Sequence, residues 1–123
     1  MNNRILIIED NAIARRVEKT IFLNLGCYVD CVASGEDGVK MASENQYDLI
    51  IMDLGLPGID GIKATELIRE SGNLTPIVAV TANEDISMRE TCIKSGMNEV
   101  FSKPFNDVTA KELLNSFCIK LAI

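Results

Sequence analysis

The feature that most constrains the fold is a run of four apolar residues, 49–52, that leads directly into Asp53. Turn-forming residues follow at once, at Gly55 and Pro57. Short continuous apolar runs bounded by turn residues are typical of strands that are buried on both faces, and such strands occur in parallel sheets. Asp53 would then lie at the carboxyl end of its strand, which is the edge where open α/β sheets bind their ligands.

This predicted strand is one of five, and each is followed by a segment with helical spacing. The other four strands are predicted at residues 4–8, 28–33, 76–81 and 99–102. Strict alternation of strand and helix favours a parallel sheet with right-handed crossovers and helices on both faces. The chain has 123 residues and no linker or repeat. We therefore expect one α/β domain, residues 1–123, with an open, doubly wound, five-stranded sheet and five helices.

Apolar spacing also predicts which faces of the helices are buried. In the first helix this face would contain Ile13, Val17, Ile21 and Leu25. In the last helix it would contain Val108, Leu113, Leu114, Phe117, Cys118 and Leu121. Ser87 and Glu90 match a capping box that would start the fourth helix. Asp30 lies within the second strand and indicates an edge position, because central parallel strands rarely carry charge.

Composition argues against several functions. The net charge of −6 disfavours binding to nucleic acid or to an anionic membrane surface. No apolar run approaches the roughly 20 residues of a membrane span, and the first residues lack the pattern of a signal peptide. The chain contains no histidine, which excludes nucleophile–histidine catalysis and histidine-ligated metal sites within it. We expect free thiols and a cytoplasmic setting because the cysteines lack zinc-ligand spacing: Cys27, Cys31, Cys92 and Cys118.

Polar residues stand at or just beyond the carboxyl ends of four predicted strands. They are Glu9, Asp10, Asp53, Thr81 and Lys103. If the strand order is 2-1-3-4-5, the first and third strands are neighbours at the topological switch point and these side chains converge on one crevice. Three adjacent carboxylates repel one another and need a cation between them. Oxygen ligands without histidine or thiolate favour Mg²⁺.

Asp53 is the candidate nucleophile of this crevice. A carboxylate that attacks phosphorus forms an acyl phosphate, a known kind of covalent catalysis. Lys103 would balance the charge of one phosphate oxygen, and Thr81 would donate a hydrogen bond to another. The main-chain carbonyl of Gly55 is a further candidate metal ligand. Taken singly, each residue has a simpler explanation as a helix cap, a strand end or a solvated charge, and their joint placement at one edge favours the site.

Several segments resemble the receiver domain of two-component response regulators. They are residues 7–11, residues 52–53 with Pro57, residues 60–61, residues 80–83 and residues 101–104. The resemblance covers essentially the whole chain. It implies a flavodoxin-like sheet of order 2-1-3-4-5 and Mg²⁺-dependent transfer of a phosphoryl group from a histidine of a partner kinase to Asp53. The lack of histidine fits, because the donor histidine lies on another domain.

The resemblance also implies roles for individual residues. The implied Mg²⁺ ligands are Glu9, Asp10, Asp53 and the backbone carbonyl of Gly55. Thr81 and Phe101 resemble a switch pair, in which phosphate draws the hydroxyl inward and the aromatic ring turns into the vacated space. A plain buried strand aromatic is the alternative for Phe101. The Lys103–Pro104 peptide bond is implied to be cis.

Finer features resemble the receiver domains of hybrid sensor histidine kinases, at residues 78–83 and 92–98. The implied partners are a histidine kinase transmitter domain and a histidine phosphotransfer domain. Two interpretations of the parent protein remain open: a stand-alone receiver, or a membrane-bound hybrid kinase of which this chain is a cytoplasmic part. The implied activity is that of a phosphoacceptor with autophosphatase activity.

Two other functions fit the residues less well than a receiver domain does. A metal-dependent phosphohydrolase using strand-end carboxylates usually needs a second acid two residues after the first, where this chain has Gly55. A flavin-binding domain of similar topology needs a hydroxyl- and glycine-rich phosphate loop after the first strand. Glu9 and Asp10 stand there instead and would repel phosphate.

Overall fold

The computed structural model describes residues 3–82 and 85–118. Strands and helices alternate in the order β1 Arg4–Ile8, α1 Ala12–Asn24, β2 Tyr28–Val32, α2 Gly35–Glu44, β3 Leu49–Asp53, α3 Gly61–Glu70, β4 Ile77–Thr81, α4 Ile86–Ser95, β5 Glu99–Ser102 and α5 Asp107–Phe117. The strands form one sheet in the order β2-β1-β3-β4-β5, and all four pairings are parallel. The predicted fold class is therefore confirmed.

The strands in the middle of the sheet are the apolar ones. Every residue of β3 and of β4 is buried, as a strand covered by helices on both faces requires. β2 lies at an edge and contains no fully buried residue, which confirms the interpretation of Asp30. Within the described residues, no helix is long and apolar enough to cross a membrane.

Side chains that alternate along the strands divide the core into two layers. Leu6 and Ile8 belong to the layer that contains buried residues of α2, α3 and α4. Ile5 and Ile7 belong to the layer that contains buried residues of α1 and α5. The doubly wound arrangement thus encloses the sheet on both sides and leaves its two strand-end edges free for polar groups.

The predicted buried face of α1 is wrong in its first half. Ile13 and Val17 are 78% and 47% exposed, whereas Glu18 and Phe22 are the buried residues of this helix. The ring of Phe22 packs against Phe105, with ring centroids 5.6 Å apart. Glu18 lies on the buried face, and the apolar residues Ile13 and Val17 lie beside that face. Hydrophobic spacing alone therefore predicted a face that is partly turned toward solvent.

Two further details of the helices differ from the predictions. The N-cap of α4 is Asp85, whose side chain accepts a hydrogen bond from the backbone N–H of Met88 at 2.7 Å, and Ser87 lies inside the helix. An aspartate two residues upstream therefore takes the role assigned to the capping box. In α5, Val108 is 59% exposed because it lies in the first turn, away from the core residues Leu113 and Leu114. Residue 121, also assigned to this face, lies outside the described residues.

The thiol prediction holds for the four cysteines. None of the four forms a disulfide; three are buried and Cys31 is half-buried. Burial raises the pKa of the Cys27, Cys31 and Cys92 thiols, so these groups stay protonated and behave as small apolar side chains.

Candidate functional site

The carboxyl ends of β1 and β3 bring three acids together. Carboxylate oxygens of Glu9, Asp10 and Asp53 lie within 4.8 Å of one another. The register explains this, because Ile8 pairs with Met52 and each strand then delivers its next residue to the same edge of the sheet. Glu9 and Asp53 are 1% and 8% exposed, while Asp10 is exposed. Two of the three charges are therefore taken out of water.

The turn after β1 shapes the acidic cluster. The side chain of Asn11 caps α1 by accepting a hydrogen bond from the N–H of Ala14 at 2.9 Å. The N–H of Asn11 donates to Oε2 of Glu9 at 3.1 Å, which turns the Glu9 carboxylate back toward the sheet. Since Asn11 is the cap, Asp10 is left facing the crevice opening.

The Asp53 carboxylate lies in an unfavourable place for a negative charge. Burial raises the pKa of Asp53, and the neighbouring Glu9 raises it further. The backbone N–H of Gly55 donates to Oδ1 of Asp53 at 3.3 Å and acts in the opposite direction. A cation at this point would therefore be stabilised by charge that the protein leaves uncompensated.

Lys103 supplies the positive charge nearest to the acids. Its Nζ lies 3.0 Å from Oε1 of Glu9 and 3.7 Å from Oδ1 of Asp53. Burial lowers the pKa of Lys103, but the nearby carboxylates of Glu9 and Asp53 outweigh it and the net pKa is raised. The Lys103–Pro104 peptide bond is cis, and the N–H of Lys103 donates to the carbonyl of Thr81 at 2.8 Å. The loop after β5 is thereby fixed to the end of β4.

Thr81 and Phe101 lie on neighbouring strands. Thr81 is the last residue of β4 and is 8% exposed. It pairs with Ser102, so Phe101 lies one residue further back on β5. Phe101 is half-buried and packs against the core layer that contains residues of α1 and α5. The fold thus places the two residues on neighbouring strands, one position apart in register, with Thr81 at the carboxyl end of β4.

Glu18 is the ionisable neighbour of this site that sequence reasoning missed. It lies on α1, is 3% exposed, and lines a cavity of about 390 Å³ together with Lys103 and Pro104. Burial and the nearby charge of Glu9 raise the pKa of Glu18 to about 8. The available signal was its spacing of four residues from Phe22, which places both on one face of the helix.

The residues present fit a hard divalent cation. All candidate ligands are oxygens, and the Gly55 carbonyl belongs to an exposed residue beside Asp53. Oε1 of Glu9 is buried and has no aligned hydrogen-bond donor among the described residues, although the Lys103 ammonium lies near it. An ion with its bound waters would satisfy this oxygen.

Comparison with known proteins agrees with this geometry. Residues 5–115 match the family model of the response regulator receiver domain. The chain is 35% identical over 118 residues to transcription factor prr1 of Schizosaccharomyces pombe, covering 96% of this chain and 22% of that protein. It is 31% identical over 113 residues to the sensor histidine kinase RcsC of Escherichia coli, covering 92% of this chain and 12% of that protein. The chain therefore spans less than a quarter of the length of either relative.

Solved structures give the same result at the level of the fold. The receiver domain of sensor histidine kinase PA1611 from Pseudomonas aeruginosa has a TM-score of 0.87 at 38% identity, with 95% of this chain and 98% of that chain covered. That structure has a magnesium ion coordinated in its active site cleft. Full-length ShkA in complex with AMPPNP has a TM-score of 0.87 at 39% identity, with 94% of this chain and 24% of that chain covered. The chain belongs to the response regulator receiver domain family of two-component systems.

Proposed function

We propose that this receiver domain accepts a phosphoryl group on Asp53 from a phosphohistidine of a partner kinase, with Mg²⁺ as cofactor. The observation that carries the proposal is the carboxylate cluster at the ends of β1 and β3, in which two of the three acids are buried and lie near the ammonium of Lys103. Such an imbalance of charge is costly for folding and useful for binding a cation and then a phosphoryl group.

The proposed transfer is a substitution at phosphorus. An oxygen of the Asp53 carboxylate forms a bond to phosphorus while the bond from phosphorus to the imidazole nitrogen breaks, and the electron pair of that bond returns to the imidazole. The product on this chain is an acyl phosphate. Bound Mg²⁺ would neutralise charge on the carboxylates and the phosphoryl oxygens. Glu9, Asp10, Asp53 and the Gly55 carbonyl are the residues that would hold it.

Lys103 and Thr81 have distinct roles in this proposal. The Lys103 ammonium, 3.7 Å from Oδ1 of Asp53, is close enough to pair with an oxygen of a phosphoryl group on that carboxylate. Thr81, at the end of the adjacent strand, would donate its hydroxyl to another oxygen. Movement of Thr81 toward the phosphate would leave space for the half-buried ring of Phe101, which couples the site to the surface around α4 and β5.

The proposed docking surface for the partner lies on α1 beside the site. Ile13 and Val17 are exposed apolar residues of this helix. Val17 also lines the 390 Å³ cavity that contains Lys103. An apolar surface that borders the phosphoacceptor site suits a helix that carries the donor histidine. We propose a histidine kinase transmitter domain or a histidine phosphotransfer domain as the occupant, in the cytoplasm, since PA1611 and RcsC are sensor kinases.

The proposal is tested by incubating the protein with acetyl phosphate and Mg²⁺ and measuring its intact mass. We expect one alkali-labile phosphoryl group on the wild type and none on Asp53→Asn. Asp60→Asn is the matched control, because Asp60 is an exposed helix cap seven residues away and asparagine also caps helices. Labelling of Asp53→Asn, or no labelling of the wild type, would overturn the assignment.

Docking is tested separately with a phosphorylated phosphotransfer domain as the donor. Val17→Lys is expected to slow transfer from that domain by about tenfold or more, because a charge is placed in the apolar surface. Labelling by acetyl phosphate, which needs no docking, should stay as in the wild type. An equal loss with both donors would show that Val17 supports the fold and not the docking of a partner.

A further inference from the structure

Arg15 makes contacts to the acidic turn that the proposed chemistry does not use. It lies in the first turns of α1 and is half-buried. Its Nη1 donates to the main-chain carbonyl of Glu9 at 2.9 Å and lies 3.4 Å from the carbonyl of Asp10. The guanidinium therefore contacts the main chain of the two acids, and neither hydrogen bond uses a carboxylate.

The binding of Arg15 to main-chain carbonyls is important because the carboxylate of Glu9 already has other contacts. Its Oε1 lies 3.0 Å from Nζ of Lys103, and its Oε2 accepts from the N–H of Asn11 at 3.1 Å. A cation between the acids would compete with Lys103 for Glu9. The side-chain contacts of the turn would then rearrange, whereas the two carbonyl contacts of Arg15 would be free to persist.

We propose that Arg15 is a positioning residue that holds the main chain of Glu9 and Asp10 in place and thereby sets the affinity for the divalent cation. The inference rests on the proposed function, since it concerns the same metal site. Groups that orient metal ligands typically change metal affinity by about 10–100-fold when they are removed. Arg15 acts through the main chain of the acids and contacts neither the ion nor the phosphoryl group.

The charge of Arg15 predicts the opposite effect, which makes the inference sharply testable. A guanidinium near an acidic site repels a cation, so its removal by charge alone would strengthen Mg²⁺ binding. Loss of the two carbonyl contacts would weaken binding instead. Arg16 is the matched control, since it is the next residue of the same helix, carries the same charge and is exposed. No hydrogen bond or ion pair of Arg16 is found within residues 3–82 and 85–118.

The experiment is calorimetric titration of Mg²⁺ into the full chain, without a phosphate donor. We expect Arg15→Met to bind Mg²⁺ about tenfold more weakly than the wild type, and Arg16→Met to bind as tightly as the wild type or slightly more tightly. Arg15→Lys keeps the charge but reaches only one carbonyl. Its affinity for Mg²⁺ should therefore lie between that of Arg15→Met and that of the wild type. Unchanged or tighter binding by Arg15→Met would overturn the inference, and Arg15→Lys at wild-type affinity would overturn it if Arg15→Met does not fold.

A second readout separates positioning from general loss of structure. Hydrogen exchange of the Asn11 amide in the metal-free protein should be faster in Arg15→Met, while the amides of β3 stay protected as in the wild type. Equal exchange at Asn11 would contradict the inference even if the affinity changed. Failure of the wild type and Arg16→Met to bind Mg²⁺ at all would overturn the metal site of the proposed function, and with it this inference.

Discussion

The two strand-end edges of the sheet are both rich in charged groups, yet they treat those groups differently. Toward the amino edge, the N–H of Arg4 donates to Asp48 at 2.8 Å and its guanidinium lies 3.4 Å from Asp30. The hydroxyl of Tyr47 also donates to Asp30, at 2.7 Å, and its ring lies under the Arg4 guanidinium. Both acids of this group are only partly buried, and each accepts a hydrogen bond from a cationic or neutral donor.

At the carboxyl edge the acids are more numerous and closer together, because three carboxylates lie within 4.8 Å of one another. Glu9 and Asp53 are more deeply buried than Asp30 or Asp48, but they share one ammonium, that of Lys103. Cavity volume does not point to the carboxyl edge. The cavity at the amino edge, about 780 Å³, is larger than the cavity of about 390 Å³ beside Lys103. Uncompensated buried charge therefore identifies the functional edge better than the volume of a cavity does.

The sharpest way to break this comparison is to remove Lys103, whose ammonium lies near both buried acids of the carboxyl edge. Lys103→Met should slow labelling by acetyl phosphate about 100-fold at saturating Mg²⁺, because an electrostatic partner of the phosphoryl oxygens is lost. Lys111→Met, an exposed substitution on α5, should leave the rate unchanged. A Lys103→Met rate close to that of the wild type would mean that this ammonium serves only to balance the resting acids.

The pH dependence of stability provides a second test, through Glu18. Its folded-state pKa of about 8 lies above the unfolded value of 4.5, so the folded chain holds the extra proton between these values and stability falls as pH rises through that window. Glu18→Gln should remove this loss, so its stability relative to the wild type should rise by about 1.4 kcal/mol per pH unit inside the window.

The measurement for Glu18 is urea unfolding between pH 5 and pH 8 with a chelator present, so that no cation changes the charge of the site. The quantity to follow is the difference between Glu18→Gln and the wild type, because Asp53 also has a raised pKa and contributes to both curves. A difference that stays constant over this range would show that Glu18 is ionised throughout in the folded chain.

Substitutions at the amino edge are expected to have smaller effects. Tyr47→Phe removes the hydrogen bond to Asp30 and keeps the ring beneath Arg4, so the free energy of unfolding should fall by about 1 kcal/mol. Burial, followed by the hydrogen bond to Asp30, raises the pKa of Tyr47, so no titration of this hydroxyl interferes near neutral pH. Denaturant unfolding measures the loss. A fall in the rate of acetyl phosphate labelling would contradict the separation of the two edges.

The sequence was informative wherever residue type and position point the same way. Apolar runs bounded by polar and turn residues predicted the strands and the residues of the carboxyl edge, whereas the strand order was implied by the resemblance to receiver domains. The errors arose where a polar residue took a position normally held by an apolar one. Glu18 on the buried face of α1 shifted the predicted face toward Ile13, and Asp85 capped α4 ahead of the matching Ser87.

Contacts between the main chain and distant side chains were not predictable from spacing. These hydrogen bonds depend on how turns and helices pack in three dimensions. They run from the Arg15 guanidinium to two carbonyls, and from the N–H of Lys103 to the carbonyl of Thr81. The domain limits of residues 1–123 stay a prediction, and the family match extends over residues 5–115.

The central claim is that the carboxyl edge of the sheet accepts a phosphoryl group on one particular carboxylate, that of Asp53. The most direct measurement is to label the protein with acetyl phosphate and Mg²⁺, reduce the acyl phosphate with borohydride, and locate the reduced residue by peptide mass spectrometry. The account predicts reduction at Asp53 and at neither Glu9 nor Asp10, with none when a chelator replaces Mg²⁺. Reduction at Glu9 or Asp10, or labelling that does not need the metal, would contradict it.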